Sequence, residues 1–246
     1  MLLRLPTTVS EAQECLVEGA VPVGGATLVW ADWQRDGFPE LAMSLRGLPE
    51  ANVVGGGALG AAVVLNRIDE RVPDVIRLAA AAVGTGAVRR TATVGGNLVG
   101  SALRCLLPAA LVLNARASIL GPEGVHEADL AEVVAKRPLL LSIHWCEPVA
   151  SAYRKLPAAA GGPPPLVVAT ALHAEGAGSF RLRAAVRDGY DVISESILCD
   201  SGGSDSGGGE EALRALRRTG LGDLPGDAWE IVRRQATDLL RPFGVR

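Results

Sequence analysis

Glycine pairs set between apolar residues constrain this chain more than any other feature of its sequence. They occur as Val23-Gly24-Gly25-Ala26-Thr27-Leu28 and as Thr93-Val94-Gly95-Gly96-Asn97-Leu98, each where a short apolar run gives way to a loop. Without side chains in the way, successive backbone N–H groups can converge on an oxyanion as a nest. Two such nests can clasp one diphosphate from both sides. A third cluster, Gly55-Gly56-Gly57-Ala58-Leu59-Gly60 after Val53-Val54, satisfies G-x-G-x-x-G. A dinucleotide-binding βαβ unit would need a helix from Gly57 and a second strand ending in an acid about 20 residues on. The chain instead runs into Arg67-Ile68-Asp69-Glu70-Arg71-Val72-Pro73, which is no buried parallel strand. The third cluster therefore reads as hairpin or bulge glycines.

Around these turns the sequence alternates short strands with helices. Ser10 with Gln13 reads as a capping box, Ala12, Cys15 and Leu16 form an apolar stripe, and Gly19 is a natural stop. Val21–Val23, Leu41–Leu45 and Val53-Val54 read as strands. The Ala-rich window Pro73–Val83, closed by Gly84, reads as a helix, and so does Leu106–Leu113. Ala117–Leu120 and Leu139–Trp145 read as strands with a Gly-Pro-Glu-Gly turn at 121–124 between them. Residues 158–165 have the composition of a linker. Leu166–His173 and Phe180–Val186 look strand-like, 200–209 is a serine–glycine insertion, and Glu210–Arg218 and Asp227–Leu240 read as helices.

Composition excludes several classes. Net charge is −3, so no basic field points to nucleic acid or an anionic membrane. The longest apolar runs fall well short of a membrane span, and the N-terminal residues do not read as a secretory signal, so a cytoplasmic protein is expected. Cys15, Cys105, Cys146 and Cys199 are scattered, with no spacing for zinc or an iron–sulfur cluster. His126, His144 and His173 are equally dispersed, and no metal site is expected. No nucleophile elbow, Walker loop or carboxylate pair stands out, so the catalytic residues are left unassigned. Lys136 and Lys155 are the only lysines in an arginine-rich chain. Trp30 and Trp33, after the first glycine pair, have the chemistry to stack on an adenine or a flavin, and equally that of core or lid packing.

Taken in order, the two glycine-pair motifs, Gly57-Ala58-Leu59-Gly60-Ala61-Ala62-Val63 and Ala87-Val88-Arg89-Arg90-Thr91-Ala92 resemble one family. So do Leu111-Val112-Leu113-Asn114-Ala115, Leu120-Gly121-Pro122-Glu123-Gly124, Leu140-Leu141-Ser142-Ile143 and Ser151-Ala152-Tyr153-Arg154-Lys155. The family is the FAD-binding medium subunit of molybdenum hydroxylases, of the xanthine and carbon monoxide dehydrogenase type. The resemblance covers about residues 1–157. It implies an α+β, two-subdomain FAD-binding fold of the PCMH/vanillyl-alcohol-oxidase-like type. Its subdomains would span 1–55 and 56–157, followed by a small α+β C-terminal domain over 158–246.

The resemblance also implies roles. Val23, Gly24, Gly25, Ala26 and Thr27 would bind FAD together with Thr93, Val94, Gly95, Gly96 and Asn97, around the diphosphate and ribityl chain. Leu140 takes the place of an apolar residue near the cofactor. Lys155 takes the place of a lysine near the flavin's pyrimidine end, where a cation favours reduction; Tyr153, two residues before it, shares its face on a strand. Relatives usually carry Thr-Asp where this chain has Ala26-Thr27, and an Asp where it has Cys105 or Leu106. The implied function is passing electrons from [2Fe–2S] and molybdenum-cofactor partner subunits through FAD to NAD or another small-molecule acceptor. The alternative is a repurposed stand-alone biosynthetic enzyme or pocket protein on the same scaffold, with the FAD redox role altered or lost.

Overall fold

Turn chemistry at both ends sets the first helix of the structure, a computed structural model that describes residues 1–157, 162–176, 178–200 and 208–243. Strand β1 (Leu2–Arg4) leads into helix α1 (Val9–Val17). Thr8, not Ser10, is the N-cap. Its hydroxyl accepts from the Glu11 amide at 3.2 Å, and the Glu11 carboxylate accepts from the Thr7 amide at 2.7 Å. A carboxylate is a stronger acceptor than the Gln13 amide, and it sits where the helix dipole favours negative charge, so the start lies two residues earlier than expected. Gly19, at φ +83°, ends the helix as expected.

The chain divides into two compact units. The first comprises Met1–Val72, Ala80–Leu106 and Ala115–Trp145. In it, strand β2 (Val21–Val23), helix α2 (Val29–Asp36) and strand β3 (Leu41–Ser44) follow α1. β3 lies between β1 and β2 and is parallel to both. α1 buries Ala12 and Cys15 against Met43, Leu45 and Leu48. Strands β4 (Val54–Gly55) and β5 (Ala58–Gly60) form a tight hairpin. Gly56 and Gly57 sit at φ +64° and +76° in its turn, the conformation that a two-residue hairpin of the favoured hand demands. No helix starts at Gly57, so the βαβ reading of this cluster fails.

Further along the chain come helices α3 (Asp74–Ala81), α4 (Gly86–Arg89) and α5 (Leu107–Val112), with one wide helical turn at Gly96–Gly100 between the last two; α4 and that turn belong to the first unit, α5 and most of α3 to the second. Strands β6 (Arg116–Gly121) and β7 (Gly124–Asp129), helix α6 (Leu130–Lys136) and strand β8 (Leu139–His144) complete the first unit. Its second sheet is antiparallel throughout, in the order β4-β5-β8-β6-β7.

The second unit takes in Pro73–Ala79, Leu107–Asn114 and the chain from Cys146 onward. Strands β9 (Ala150–Lys155), β10 (Val167–Gly176), β11 (Ser179–Asp188) and β12 (Asp191–Asp200) form an antiparallel sheet in the order β12-β11-β10-β9. Alternation puts Val168, Leu172, Leu182, Ala184 and Val186 on one face. There they form one core with Leu216 of helix α7 (Gly208–Arg217) and with Ala228, Val232 and Ala236 of helix α8 (Gly226–Leu240). His173, on the opposite register, donates from Nε2 to the Val112 carbonyl at the end of α5, 2.8 Å away. The structure is α+β, as expected. Part of the 158–165 linker (158–161) and most of the 200–209 insertion (201–207) lie outside the described residues.

Candidate cofactor site

β2 delivers the chain to Gly24 and Gly25, where there is no room for a side chain. A Cβ on Gly24 would run into Thr93 Oγ1, and one on Gly25 into the carbonyl of Thr91. The two glycine-pair turns therefore pack directly on one another. Glycine at 25 is required by this close approach rather than by an unusual φ.

The two turns handle their amides differently. In the second, Val94 N–H donates to Val63 O at 3.0 Å, Gly95 N–H to Ala61 O at 2.9 Å and Asn97 N–H to Thr93 O at 2.9 Å. Gly96 N–H donates to the Thr93 hydroxyl at 3.2 Å. The first two donors hold the turn against the segment 61–64 that follows β5, and the other two close the turn on Thr93. In the first turn, the amides of Gly25, Ala26, Thr27 and Leu28 meet no acceptor among the described residues. Ala26 is left-handed, at φ +56°, which curls successive N–H groups toward a common side. Leu28 is the N-cap of α2 and has no side chain able to satisfy the donors that open a helix. The arrangement provides one amide nest, braced by the second turn, where the sequence pattern alone implied two.

A cavity of about 380 Å³ opens onto these residues, within the size range of small-molecule sites. Its wall includes Pro22 to Val29, Asp32 of α2, Leu45, Ala61 and Ala62. Thr93, Gly95, Gly96, Val99, Gly100 and the run Arg137 to Leu140 complete it. Of the residues singled out from sequence, Val23, Gly24, Gly25, Ala26, Thr27, Thr93, Gly95, Gly96 and Leu140 line this space together. Val94 is fully buried behind it. Asn97 is buried as well, and its Oδ1 accepts from the Leu106 amide at 2.8 Å, pinning the following loop. Cys105 is buried and outside the lining. Tyr153 and Lys155 lie on β9 of the second unit, opposite Ala169 and Val167 of β10 and on one face of that sheet.

Asp32 and Arg137 were not visible from sequence motifs. Asp32 is held by Arg35 at 3.0 Å, and Asp36 and then Asp32 raise the Arg35 pKa above its usual value. Arg137 closes α6 in the left-handed region, at φ 52° and ψ 48°. The signal for it was faint: a helix of only seven residues, with Arg137 as the single residue between its end and Pro138.

Residues 3–141 match the family model described as the FAD binding domain in molybdopterin dehydrogenase, more than half of the chain. The chain belongs to that family. Solved structures give the same fold over nearly the whole length. Quinoline 2-oxidoreductase from Pseudomonas putida 86 is 17% identical, with a TM-score of 0.64, over 98% of this chain and 94% of that one. The reconstituted CO dehydrogenase from Oligotropha carboxidovorans is 20% identical, with a TM-score of 0.67 over the same shares. The cyanide-inactivated form of Cu,Mo-CO dehydrogenase gives 20% and 0.65, again over these shares. A comparison with curated protein sequences gave no match.

FAD is the cofactor of this family, and the residues present fit its diphosphate. Unsatisfied backbone donors in a curled turn are suited to phosphate oxygens, and the apolar wall of Leu28, Val29, Leu139 and Leu140 suits the rest of a dinucleotide. Among the described residues no cluster of His, Cys, Asp and Glu is placed to hold a metal ion. None of the described helices is long and apolar enough to cross a membrane.

Proposed function

We propose that this chain is the FAD-carrying redox subunit of a molybdenum hydroxylase. In this role it receives electrons from [2Fe–2S] and molybdenum-cofactor partner subunits and delivers them to NAD or another small-molecule acceptor, in the cytoplasm. The observation that carries the reading is the curled run Gly25–Leu28, with its amides unspent, at the mouth of a cavity in a chain of this family.

FAD when bound supplies the capacity to take up two electrons and to pass them on singly or together. The protein's own part is binding and orientation. The amides of Gly25 to Leu28 would hold the diphosphate. Thr93 and Gly96 would keep that turn in shape, because a donor network spent inside the protein cannot shift without losing several hydrogen bonds at once. Leu140, 3% exposed, would exclude water from the cofactor's apolar surface. On the family resemblance, Lys155 would stand near the flavin's pyrimidine end, where its charge would favour the reduced form, and Tyr153 would share its face of β9.

The test is to purify the chain and record its visible absorbance before and after incubation with FAD. Reducing equivalents from its iron–sulfur partner and NAD are then supplied in turn. The expected result is a yellow protein whose flavin is bleached by the partner and recovers its colour with the acceptor. A folded protein that stays colourless after reconstitution would overturn the proposal.

A further inference from the structure

Arg137 occupies a position that costs backbone energy, and it lines the same cavity as the amide nest. It adopts φ 52°, where residues other than glycine are uncommon, and it precedes Pro138, whose ring disfavours helical conformations in the residue before it. The surrounding contacts fix it there. Its N–H donates to Val133 O at 2.9 Å, closing α6, while the chain turns at once into β8. Strained positions of this kind persist where the structure over-determines them, often at ligand sites.

The electrostatics point the same way. Arg137 is the only cationic residue among the described residues that line the cavity. Its neighbour Lys136 is tied to Glu132 at 3.0 Å, but Arg137 has no ion-pair partner among the described residues. The cavity's one carboxylate, Asp32, is paired with Arg35 of its own helix at 3.0 Å, which it shares with Asp36 at 2.8 Å, and not with Arg137. The lining thus includes a residue whose guanidinium has no ion-pair partner among the described residues, and a run of uncommitted amides. A planar, permanently charged group with five donors is suited to two oxygens of a phosphate.

We infer that Arg137 is the charge partner of the cofactor's diphosphate in this chain, supplying a side-chain contact where Ala26 offers none. The inference rests on the FAD reading given above.

The experiment is a titration of the full-length chain with FAD, and separately with ADP, followed by flavin fluorescence and calorimetry at low and high salt. The variants are Arg137→Asn and Arg137→Gly, both suited to a left-handed backbone, with Arg137→Lys and Lys136→Gln beside them. The first two should bind FAD and ADP about tenfold to a hundredfold more weakly than the wild type, the loss expected for one charge-assisted contact. Their affinity should also depend less on salt, because the screened charge is gone. Arg137→Lys should recover part of the affinity, and Lys136→Gln should match the wild type. Folded Arg137→Asn or Arg137→Gly protein that binds FAD as tightly as the wild type, with the same salt dependence, would sink the role of Arg137 alone. A folded wild-type chain that binds neither FAD nor ADP would sink the FAD reading as well.

Discussion

A methyl group at residue 25 would collide with the Thr91 carbonyl, whereas at residue 57 it would meet only Trp145 O at 3.1 Å. The two glycines therefore serve different ends. Gly57 is needed for its backbone conformation, φ +76°, and alanine there costs about 1–2 kcal/mol. Gly25→Ala forces two turns apart, and overpacking of this sort costs about 1–3 kcal/mol or more. Gly57→Ala should lower the Tm by a few degrees and leave FAD affinity unchanged. Gly25→Ala should lower the Tm and weaken FAD binding by about tenfold or more, as expected when one or more donors lose their aim. Melting curves and flavin titrations of the two purified variants check both statements. Equal losses of FAD affinity would show that the hairpin glycines also serve the ligand. At this scale the sequence was legible wherever glycine was forced by sterics. Arg137 was not, because its placement depends on where a short helix stops rather than on any motif.

Helices and strands with an apolar period were readable from the chain; edge elements were not. β7 carries Gly-Val-His-Glu-Ala-Asp and is half-buried or exposed along its whole length. β12 is an edge strand that mixes Ser194, Glu195 and Ser196 with Val192 and Ile193. Both form because a neighbour's ladder recruits them, which is a tertiary cause that periodicity cannot reveal. α6 has only Leu130 and Val133 buried, too few to mark a stripe, although Asp129 caps it through the Ala131 amide at 2.8 Å. β10 and α5 are joined by the His173–Val112 hydrogen bond, which makes a pH prediction possible. Burial is the largest influence on His173 and lowers its pKa; the Val112 bond opposes this, Arg183 adds to it, and Glu175 and Glu147 oppose it. The folded state thus resists protonation more than the unfolded chain, whose histidine titrates near 6.5. Stability should be full above that pH and fall as the pH drops from there through the lower folded value. A His173→Gln variant, which keeps a neutral donor, should lose this part of the acid sensitivity. Tm measured across pH for both proteins checks it; parallel curves would contradict it.

At the scale of the molecule, one buried apolar cluster among the described residues gathers around Met43, Leu45 and Leu48, and another lies between the four-stranded sheet and α7 and α8. Hydrogen–deuterium exchange across the full chain should be slowest in these cores and slow at Val94, Gly95 and Asn97, whose amides are bonded. Gly25 to Leu28 should exchange fast without ligand and slow sharply when FAD is added. Amides at 25–28 that are already slow, or that stay fast with saturating FAD, would contradict this division. The division also determines which chemical edits the site will register. Donors that belong to the peptide unit survive every side-chain replacement the fold tolerates, so an alanine scan over Thr27 and Leu28 would report little. Exchanging the peptide nitrogen at Thr27 or Leu28 for an ester oxygen would delete a single contact to the phosphates while leaving every side chain in place.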